Sequence, residues 1–202
     1  DHYTSSNDNG SVSKGSYTTK TYNTQQLLNY VKTFGLHDVS AMIGHEYYNY
    51  EYQSLSGSGW NFGIDNATEL NSLLNLNYPS SYSSRYNNEG FFFRGMYSYD
   101  SKYYGSFSIR RDASSRFHKD NRWGNFWSAG GAWVISKEDF FDVDWIDMLK
   151  FKASIGSQGN DNIGNFRYAD SYDIVNNNNE VAYQWLQKGT KDITWETNTN
   201  IN

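Results

Sequence analysis

Strict alternation of apolar and polar residues is the feature that most constrains how this chain can fold. Residues 149–156 alternate without exception, with Leu149, Phe151, Ala153 and Ile155 on one parity and Lys150, Lys152, Ser154 and Gly156 on the other. Side chains of a β-strand point alternately to the two faces of its sheet, so this segment predicts a strand with one apolar and one polar face. Either a protein core or lipid has to cover the apolar face.

The same pattern predicts a series of strands joined by connections of alternating length. Strands are expected at residues 17–34, 38–55, 91–99, 103–110, 125–136 and 149–156, and another is expected to start near residue 193. Turns are expected at 35–37 and 100–102, and residues 136–148 predict a turn or a short helix with Ser136 as a candidate N-cap. Long polar loops are expected at 56–85, 112–124 and 158–192. Within the first of these loops, residues 65–75 suggest a short helix capped by Asp65 or Asn66.

Strand length and connection length together favour a membrane barrel. Strands of about ten residues, tilted by about 45°, span the hydrocarbon core of a membrane. Barrels of this kind place short turns on one rim and long loops on the other, as the predicted connections do. Aromatic residues near the predicted strand ends resemble interfacial girdles: Tyr97, Tyr99, Tyr103, Trp127 and Trp133. The predicted fold class is therefore all-β, with antiparallel up-and-down strands that form part of a large transmembrane β-barrel.

A soluble carbohydrate-binding β-sandwich is the alternative, because strands of a sandwich also alternate. The composition suits both structures. The chain is polar on average, with a mean hydropathy of −0.82, yet 18% of its residues are aromatic. Tyr and Trp serve places with one dry and one wet side, such as sugar-binding grooves and membrane borders. The net charge of −5 argues against a nucleic-acid partner. Residues 1–10 do not resemble a signal peptide, which fits a cytoplasmic chain or a mature or truncated piece of an exported one.

Motifs for catalysis or metal binding are weak. The His-Glu pair in residues 44–49 lacks the second histidine of a zinc-protease motif, and residues 159–165 lack the spacing of a Ca²⁺ loop. The chain has no Cys, which excludes a Cys-based metal site. Glu138 and Asp142 belong to an acidic cluster that a glycosidase could use, but acidic residues also favour a helix start. We therefore expect no cofactor, no metal and no enzymatic activity, with glycan hydrolysis as the third hypothesis.

Candidate functional residues lie in the predicted loops and at their bases. Aromatic residues of the loops can contact substrate, contact a lid protein or pack the loop itself, and the candidates are Trp60, Tyr82, Trp123, Tyr172 and Trp185. Arg110, Asp112 and Arg116 predict a salt-bridge network that orders the loop after residue 112, with ligand contact as the alternative. Asp161 is expected to order the next long loop by bonding nearby backbone donors, where neighbouring Gly and Asn residues tolerate positive φ.

Four stretches, in order along the chain, resemble the SusC-like family of TonB-dependent outer-membrane transporters. They are KTFGLHDVSAMIGHEY (32–47), FSIRRDASSRFHKDNRWGNFWSAGGAWVISKEDFF (107–141), LKFKASIGSQGNDNIGNF (149–166) and ITWETNTNIN (193–202). The second resembles the family pattern R-x-D-G-S-S-R-F followed by N-R-W-G-x-F, and the third resembles L-K-x-R-A-S-x-G-x-x-G-N-D. Ala113, His118 and Trp127 depart from the Gly, Gly and Pro common in the family, which changes loop detail but not class.

The resemblance implies a barrel of about 22 strands with an N-terminal plug, and we expect residues 1–202 to be a partial barrel domain without a plug. It implies import of oligosaccharides or peptides through the outer membrane of a Gram-negative bacterium. A SusD-like surface lipoprotein would act as lid and TonB as energy source. The chain would contribute wall strands and extracellular loops, with the apolar parity of residues 149–155 facing membrane lipid and the polar parity facing the lumen.

Overall fold

The computed structural model describes residues 9–64, 66–178 and 180–202, and most of these residues lie in β-strands. The strands are β1 (Ser11–Phe34), β2 (His37–Phe62), β3 (Leu73–Leu76), β4 (Ser80–Tyr99), β5 (Tyr103–Ser114), β6 (Trp123–Val134), β7 (Lys150–Asn160), β8 (Ser171–Asn177), β9 (Glu180–Gln187) and β10 (Glu196–Ile201). The helical segments among the described residues are two 3₁₀ turns, Leu70–Ser72 and Ile135–Lys137. Neither has the length and apolar character that a membrane-crossing helix requires.

The strands of the main sheet follow the chain, so the predicted up-and-down antiparallel arrangement is confirmed. They are hydrogen-bonded in the order β1-β2-β4-β5-β6-β7-β10, and β3 pairs with β2. β8 and β9 form a separate two-stranded sheet. Among the described residues no pairing joins β1 to β10, so the main sheet is open.

The described residues divide into two compact units. The first comprises residues 9–21, 49–64 and 66–85, and in it β2 pairs with β3. The second comprises residues 22–48, 86–178 and 180–202, and it contains β5 to β10 in full. β1, β2 and β4 contribute residues to both units.

Two short turns connect β1 to β2 and β4 to β5, as the sequence predicts. Gly35 adopts a φ of +59° in the first turn, and Asp100 and Ser101 both adopt +50° in the second. Consecutive positive φ values are typical of tight hairpin turns, whose twist matches that of the strands. The backbone N–H of Asp100 donates to the carbonyl oxygen of Leu36 at 2.8 Å, which joins the two turns. They define the short-turn side of the second unit, and the opposite ends of its strands define the long-loop side.

Cross-strand register sorts the side chains of β4 to β7 into two faces. Phe107 lies opposite Ala129, which lies opposite Ile155, and one residue along Ser106, Gly130 and Ser154 form the next row. The apolar face carries Phe91, Phe93, Tyr97, Tyr99, Tyr103, Phe107, Ile109, Trp127, Trp133, Phe151 and Ile155. The polar face carries Arg94, Met96, Ser98, Tyr104, Ser106, Ser108, Arg110, Ser128, Lys150, Lys152 and Ser154. The alternation predicted from the sequence is therefore confirmed in three dimensions.

No second sheet of the described residues covers the apolar face. Phe107 is 45% exposed, Ile109 46% and Phe151 62%. Buried apolar residues are few in the part of the chain that the structure describes, and they are Leu73, Ala113, Phe117, Phe126 and Val134. A β-sandwich would bury its inner face between two sheets, so the sandwich alternative is not favoured. Lipid is the solvent that covers such a face on the outside of a transmembrane barrel.

Two of the predicted loops were wrong, because they are largely strand. Residues 56–85 contain the end of β2, all of β3 and the start of β4, and residues 158–192 contain β8 and β9. Residues 56–85 are rich in Ser and Asn and residues 158–192 are rich in Asn, and these residue types favour loops. The apolar face of β8 and β9 is small, and it carries Tyr172, Ile174, Val181, Tyr183 and Trp185.

The predicted short helix at residues 65–75 was also wrong. Within the described residues 66–75, the helical part is the 3₁₀ turn Leu70–Ser72, whose N-cap is Glu69, and the following residues pair with β2 instead. The candidate cap Asp65 lies outside the described residues. Ser136 lies inside the second 3₁₀ turn, whose N-cap is Val134. β1 starts at Ser11 and β10 at Glu196, so these strand ends also differ from the predicted ones.

Candidate functional site

A cluster of polar side chains on the long-loop side of the second unit joins three segments of the chain. We refer to Tyr86, Ser114, Arg116 and Asp161 as the rim cluster. The Asp161 Oδ2 atom accepts hydrogen bonds from the Tyr86 hydroxyl and the Ser114 hydroxyl, each at 2.7 Å. Arg116 Nη1 donates to the backbone oxygen of Asp161 at 3.0 Å and lies 3.6 Å from Asp161 Oδ1. The cluster therefore ties β4 and the β5–β6 connection to the residues that follow β7.

The surroundings of the rim cluster strengthen these bonds. Ser114 is fully buried, and the Arg116 guanidinium lies 4.4 Å from the centre of the Tyr86 ring. Burial raises the pKa of Tyr86 to about 12, and its hydrogen bond to the Asp161 carboxylate acts in the same direction. The tyrosine hydroxyl therefore remains a proton donor at neutral pH. Hydrogen bonds to a charged carboxylate are stronger than those between neutral groups, so Asp161 is the acceptor on which the cluster depends.

The local conformation around Asp161 differs from the prediction. Its carboxylate accepts from side-chain hydroxyls, whereas the expected partners were backbone donors. The backbone N–H of Asn162 donates to the Asn160 side-chain oxygen at 3.0 Å. This bond closes the kind of turn that asparagine typically forms. Gly159, Asn160 and Gly164 tolerate positive φ but do not adopt it, and in this segment the positive value, +61°, belongs to Phe166.

A second cluster joins side chains of β1, β2 and β5, and we refer to Gln25, Glu46, Arg110 and Asp112 as the wall cluster. Arg110 Nε donates to both carboxylate oxygens of Asp112 at 2.7 and 2.8 Å. Arg110 Nη2 donates to Glu46 at 2.8 Å, and Gln25 bonds the other Glu46 oxygen at 2.6 Å. Gly90 leaves the space for this pair, because a Cβ atom there would lie 2.3 Å from Asp112 Oδ1. The structure thus brings Arg110 together with Asp112, and Arg116 with Asp161, in two separate clusters.

An aromatic cluster packs beside the rim cluster. Phe117 is fully buried, and its ring lies 5.4 Å from that of Trp195, which in turn lies 5.2 Å from Phe126. The Trp195 indole N–H donates to the backbone oxygen of Arg122 at 2.8 Å. Gly159 fits against Phe126 so closely that a Cβ atom there would lie 2.0 Å from the ring. The segment before β10 is therefore fixed to the β5–β6 connection.

Sequence reasoning missed half of the rim cluster and the aromatic cluster. Ser114 and Phe117 lie within the family-like pattern of residues 107–141, but that pattern does not reveal their partners. Tyr86 is 75 residues from Asp161, and no periodicity links the two. Only the pairing of β4 with β5, which sets Asn88 opposite Ser114, brings these residues together.

Glu138, the candidate catalytic acid, lies on the short-turn side among aromatic donors. Its Oε1 atom accepts from the Tyr103 hydroxyl at 2.5 Å and from the Trp133 indole N–H at 2.8 Å. These two bonds lower the pKa of Glu138 below its ordinary value. A glycosidase acid requires a raised pKa, so the geometry gives Glu138 the role of anchoring Tyr103 and Trp133.

The five candidate contact aromatics occupy three different places. Trp60 and Tyr82 lie in the first unit, on β2 and β4. Tyr172 and Trp185 lie opposite each other in the β8–β9 hairpin and are 54% and 60% exposed. Trp123 begins β6 on the same parity as Trp127, so it belongs to the apolar face, where its ring lies 6.2 Å from that of Phe91.

The polar face also forms an open groove of about 770 Å³ towards the short-turn side. Arg94, Lys150 and Lys152 line it, and the Lys150 ammonium lies 4.5 Å from the centre of the Tyr104 ring. Asp38, the carboxylate in the lining, accepts hydrogen bonds from Thr33 and Ser98. Among the described residues, no group of three or more His, Asp or Glu side chains could hold a metal ion.

Comparison with known proteins identifies close counterparts of both the sequence and the fold. The TonB-dependent receptor SusC of Bacteroides thetaiotaomicron is 36% identical over 151 residues, which cover 73% of this chain and 15% of SusC. A TonB-dependent receptor of Formosa agariphila is 31% identical over 186 residues, which cover 90% of this chain and 18% of the receptor. No family model matches the chain.

Solved structures of the RagAB peptide importer have the same fold. One described as the peptide transporter superposes with a TM-score of 0.87 at 28% identity, covering 93% of this chain and 21% of that one. The importer in its open-open state gives a TM-score of 0.88 at 28% identity, with coverage of 100% and 22%.

The open antiparallel sheet with one apolar and one polar face defines a segment of the wall of a large transmembrane β-barrel. The chain belongs to the SusC-like family of TonB-dependent transporters. It spans less than a quarter of the length of each of these relatives.

Proposed function

We propose that the chain is a wall segment of an outer-membrane importer that takes up oligosaccharides or peptides, and that it has no enzymatic activity. In this proposal residues 1–202 belong to the barrel domain and contain no plug. The chain contributes wall strands and extracellular loops to the complete transporter. The observation that carries the proposal is the exposed apolar face of β4 to β7, backed by a polar face on the same strands.

Partners follow from the relatives and are part of the proposal. RagAB is described as a peptide importer, and SusC is named as a TonB-dependent receptor. We therefore assign this transporter a SusD-like surface lipoprotein as lid and TonB as its energy source, in the outer membrane of a Gram-negative bacterium. Membrane lipid covers the apolar face, and a nucleic-acid partner has no place in this arrangement.

The rim cluster and the wall cluster have a loop-ordering role in this proposal. Arg116 and Asp161 hold the β5–β6 connection against the residues that lead to the β8–β9 hairpin. Arg110 and Asp112 fix the end of β5, from which that connection starts. The exposed pair Tyr172 and Trp185 then presents two aromatic surfaces for substrate or lid, because aromatic faces stack on sugar rings and peptide groups alike. Trp60 and Tyr82 offer further contacts from the first unit.

Trp123 has a different role in this proposal. Its ring lies on the apolar face beside Phe91, away from the polar face that would line the lumen. Aromatic rings concentrate at the borders of the apolar band of a barrel. We therefore assign Trp123 to the membrane border instead of to substrate or lid contact.

Uptake by living cells tests the proposed function. Host cells would be given a labelled pool of oligosaccharides and, separately, a labelled pool of short peptides. Deleting the complete transporter, the lid lipoprotein or TonB is expected to abolish uptake of the same pool. Unchanged uptake of both pools after deletion of the transporter would contradict the proposal. Glycan hydrolysis by the purified transporter that is lost in Glu138→Gln would support the enzyme hypothesis instead.

A further inference from the structure

Two consecutive arginines on β5 point to opposite faces and have opposite surroundings. Arg110 lies on the polar face, where the carboxylates of Glu46 and Asp112 neutralise it. Arg111 lies on the apolar face, opposite Phe91 on β4 and Asn125 on β6, and its side chain is exposed. Within the described residues the Arg111 side chain forms no hydrogen bond or ion pair, and its guanidinium lies 5.0 Å from the centre of the Trp123 ring.

The depth of Arg111 places it at the border of the apolar face. It is nine residues beyond Lys102, the last residue of the β4–β5 turn, and a strand rises about 3.3 Å per residue. At a tilt of about 40° those nine residues span roughly 23 Å, close to the apolar band of about 25 Å on the outside of membrane barrels. Arg111 therefore lies where the apolar band ends on the long-loop side, together with the aromatic ring of Trp123.

An unpaired cation at the edge of an apolar surface is well placed to bind an anion from outside the chain. The neighbouring carboxylate on this face, Glu89, lies opposite Ala113 and bonds His45 Nε2 at 3.0 Å. A guanidinium beside lipid is costly unless it reaches the headgroup layer or a counter-charge. Arginine binds phosphate through two parallel hydrogen bonds, and the aromatic face of Trp123 holds the guanidinium by cation–π attraction.

We propose that Arg111, positioned by Trp123, binds the phosphate of a lipid headgroup in the outer leaflet. The site rests on the proposed outer-membrane location of the complete transporter, since long loops face the outside in membrane barrels. Arg110 has no such role because its charge is already satisfied within the wall. The ligand is a phosphate-bearing lipid. The site recognises it by the negative charge of the phosphate and by the depth of the headgroup in the membrane.

The test is native mass spectrometry of the purified complete transporter in neutral detergent. The probes are lipid A with two phosphates and the same lipid after phosphatase treatment. The wild-type protein is expected to prefer the phosphorylated lipid by about tenfold or more, the factor given by about 1.4 kcal/mol. Arg111→Gln is expected to remove this preference, and Arg111→Lys to retain part of it. Arg94→Gln, which removes a charge from the polar face, is the matched control and is expected to leave the preference unchanged.

Two results would overturn the proposal. One is an undiminished preference in Arg111→Gln or, if that variant does not assemble, in Arg111→Lys. The other is an equal loss of preference in Arg94→Gln, which would assign the effect to overall charge. Neither result depends on uptake, so failure of the lipid site and failure of the importer function are distinguishable.

Discussion

Replacing Asp161 by alanine is expected to release the long-loop side of the wall without dissolving the sheet. The substitution removes the acceptor of two hydrogen bonds, from Tyr86 and from Ser114, and the charge beside Arg116. Hydrogen bonds to charged groups contribute about 1.5–3 kcal/mol each. Because Asp161 is half-buried, we take the lower limit for each bond and expect a cost of about 3 kcal/mol in local stability. Opening of this region would then become about 100-fold more frequent, since 1.4 kcal/mol is a factor of ten.

Hydrogen exchange in the complete transporter, read by mass spectrometry, measures this opening in residues 115–122 and 161–170. Asp161→Asn keeps an acceptor oxygen, so its increase in exchange is expected to be smaller. Asp120→Ala is the matched control, because its carboxylate is exposed and pairs only with His118 in the described part of the chain. Exchange in Asp161→Ala no faster than in Asp120→Ala would refute the loop-ordering role. Failure of Asp161→Ala to assemble would instead assign the residue to barrel folding.

Three further predictions concern other parts of the wall. The raised pKa of Tyr86 means that its hydroxyl ionises above the pH at which an unfolded tyrosine does. The stability it contributes is therefore full below about pH 10 and lost as the pH rises through about 12. The free energy of unfolding in urea should fall across that window by more in the wild-type transporter than in Tyr86→Phe. Phe107→Lys places a charge in the middle of the apolar face and should destabilise the assembled barrel by about 2–4 kcal/mol. Urea unfolding in lipid vesicles measures this loss. Ser106→Lys, on the polar face, is the control and should have little effect. Gly159→Ala would place a Cβ atom 2.0 Å from Phe126 and should cost about 1–3 kcal/mol by overpacking, seen in the same unfolding assay.

The sequence predicted the two faces of the central strands because their side chains repeat with the period of a strand. It also predicted the turn at residues 100–102, where Asp100 and Ser101 tolerate the left-handed backbone. β8 and β9 were missed because they are short and are flanked by Asn-rich segments that favour turns, so their one apolar face was overlooked and only their pairing reveals it. The charges of Arg116 and Asp161 made both residues candidates, but the sequence placed Arg116 in one network with Arg110 and Asp112 and did not predict its contact with Asp161. Tyr86 and Ser114 reach Asp161 only through the register of β4 with β5.

The central claim is that the apolar face meets lipid and the polar face meets the lumen. Spin labels at Phe151→Cys and Lys152→Cys of the complete transporter in lipid bilayers test it most directly, since these neighbours on β7 point to opposite faces. Collisions with oxygen report contact with lipid, and collisions with a water-soluble nickel chelate report contact with water. The label at 151 is expected to meet oxygen and exclude nickel, and the label at 152 is expected to show the higher nickel-to-oxygen ratio. Equal ratios at both positions would contradict the assignment of the two faces and with it the wall of a transmembrane barrel.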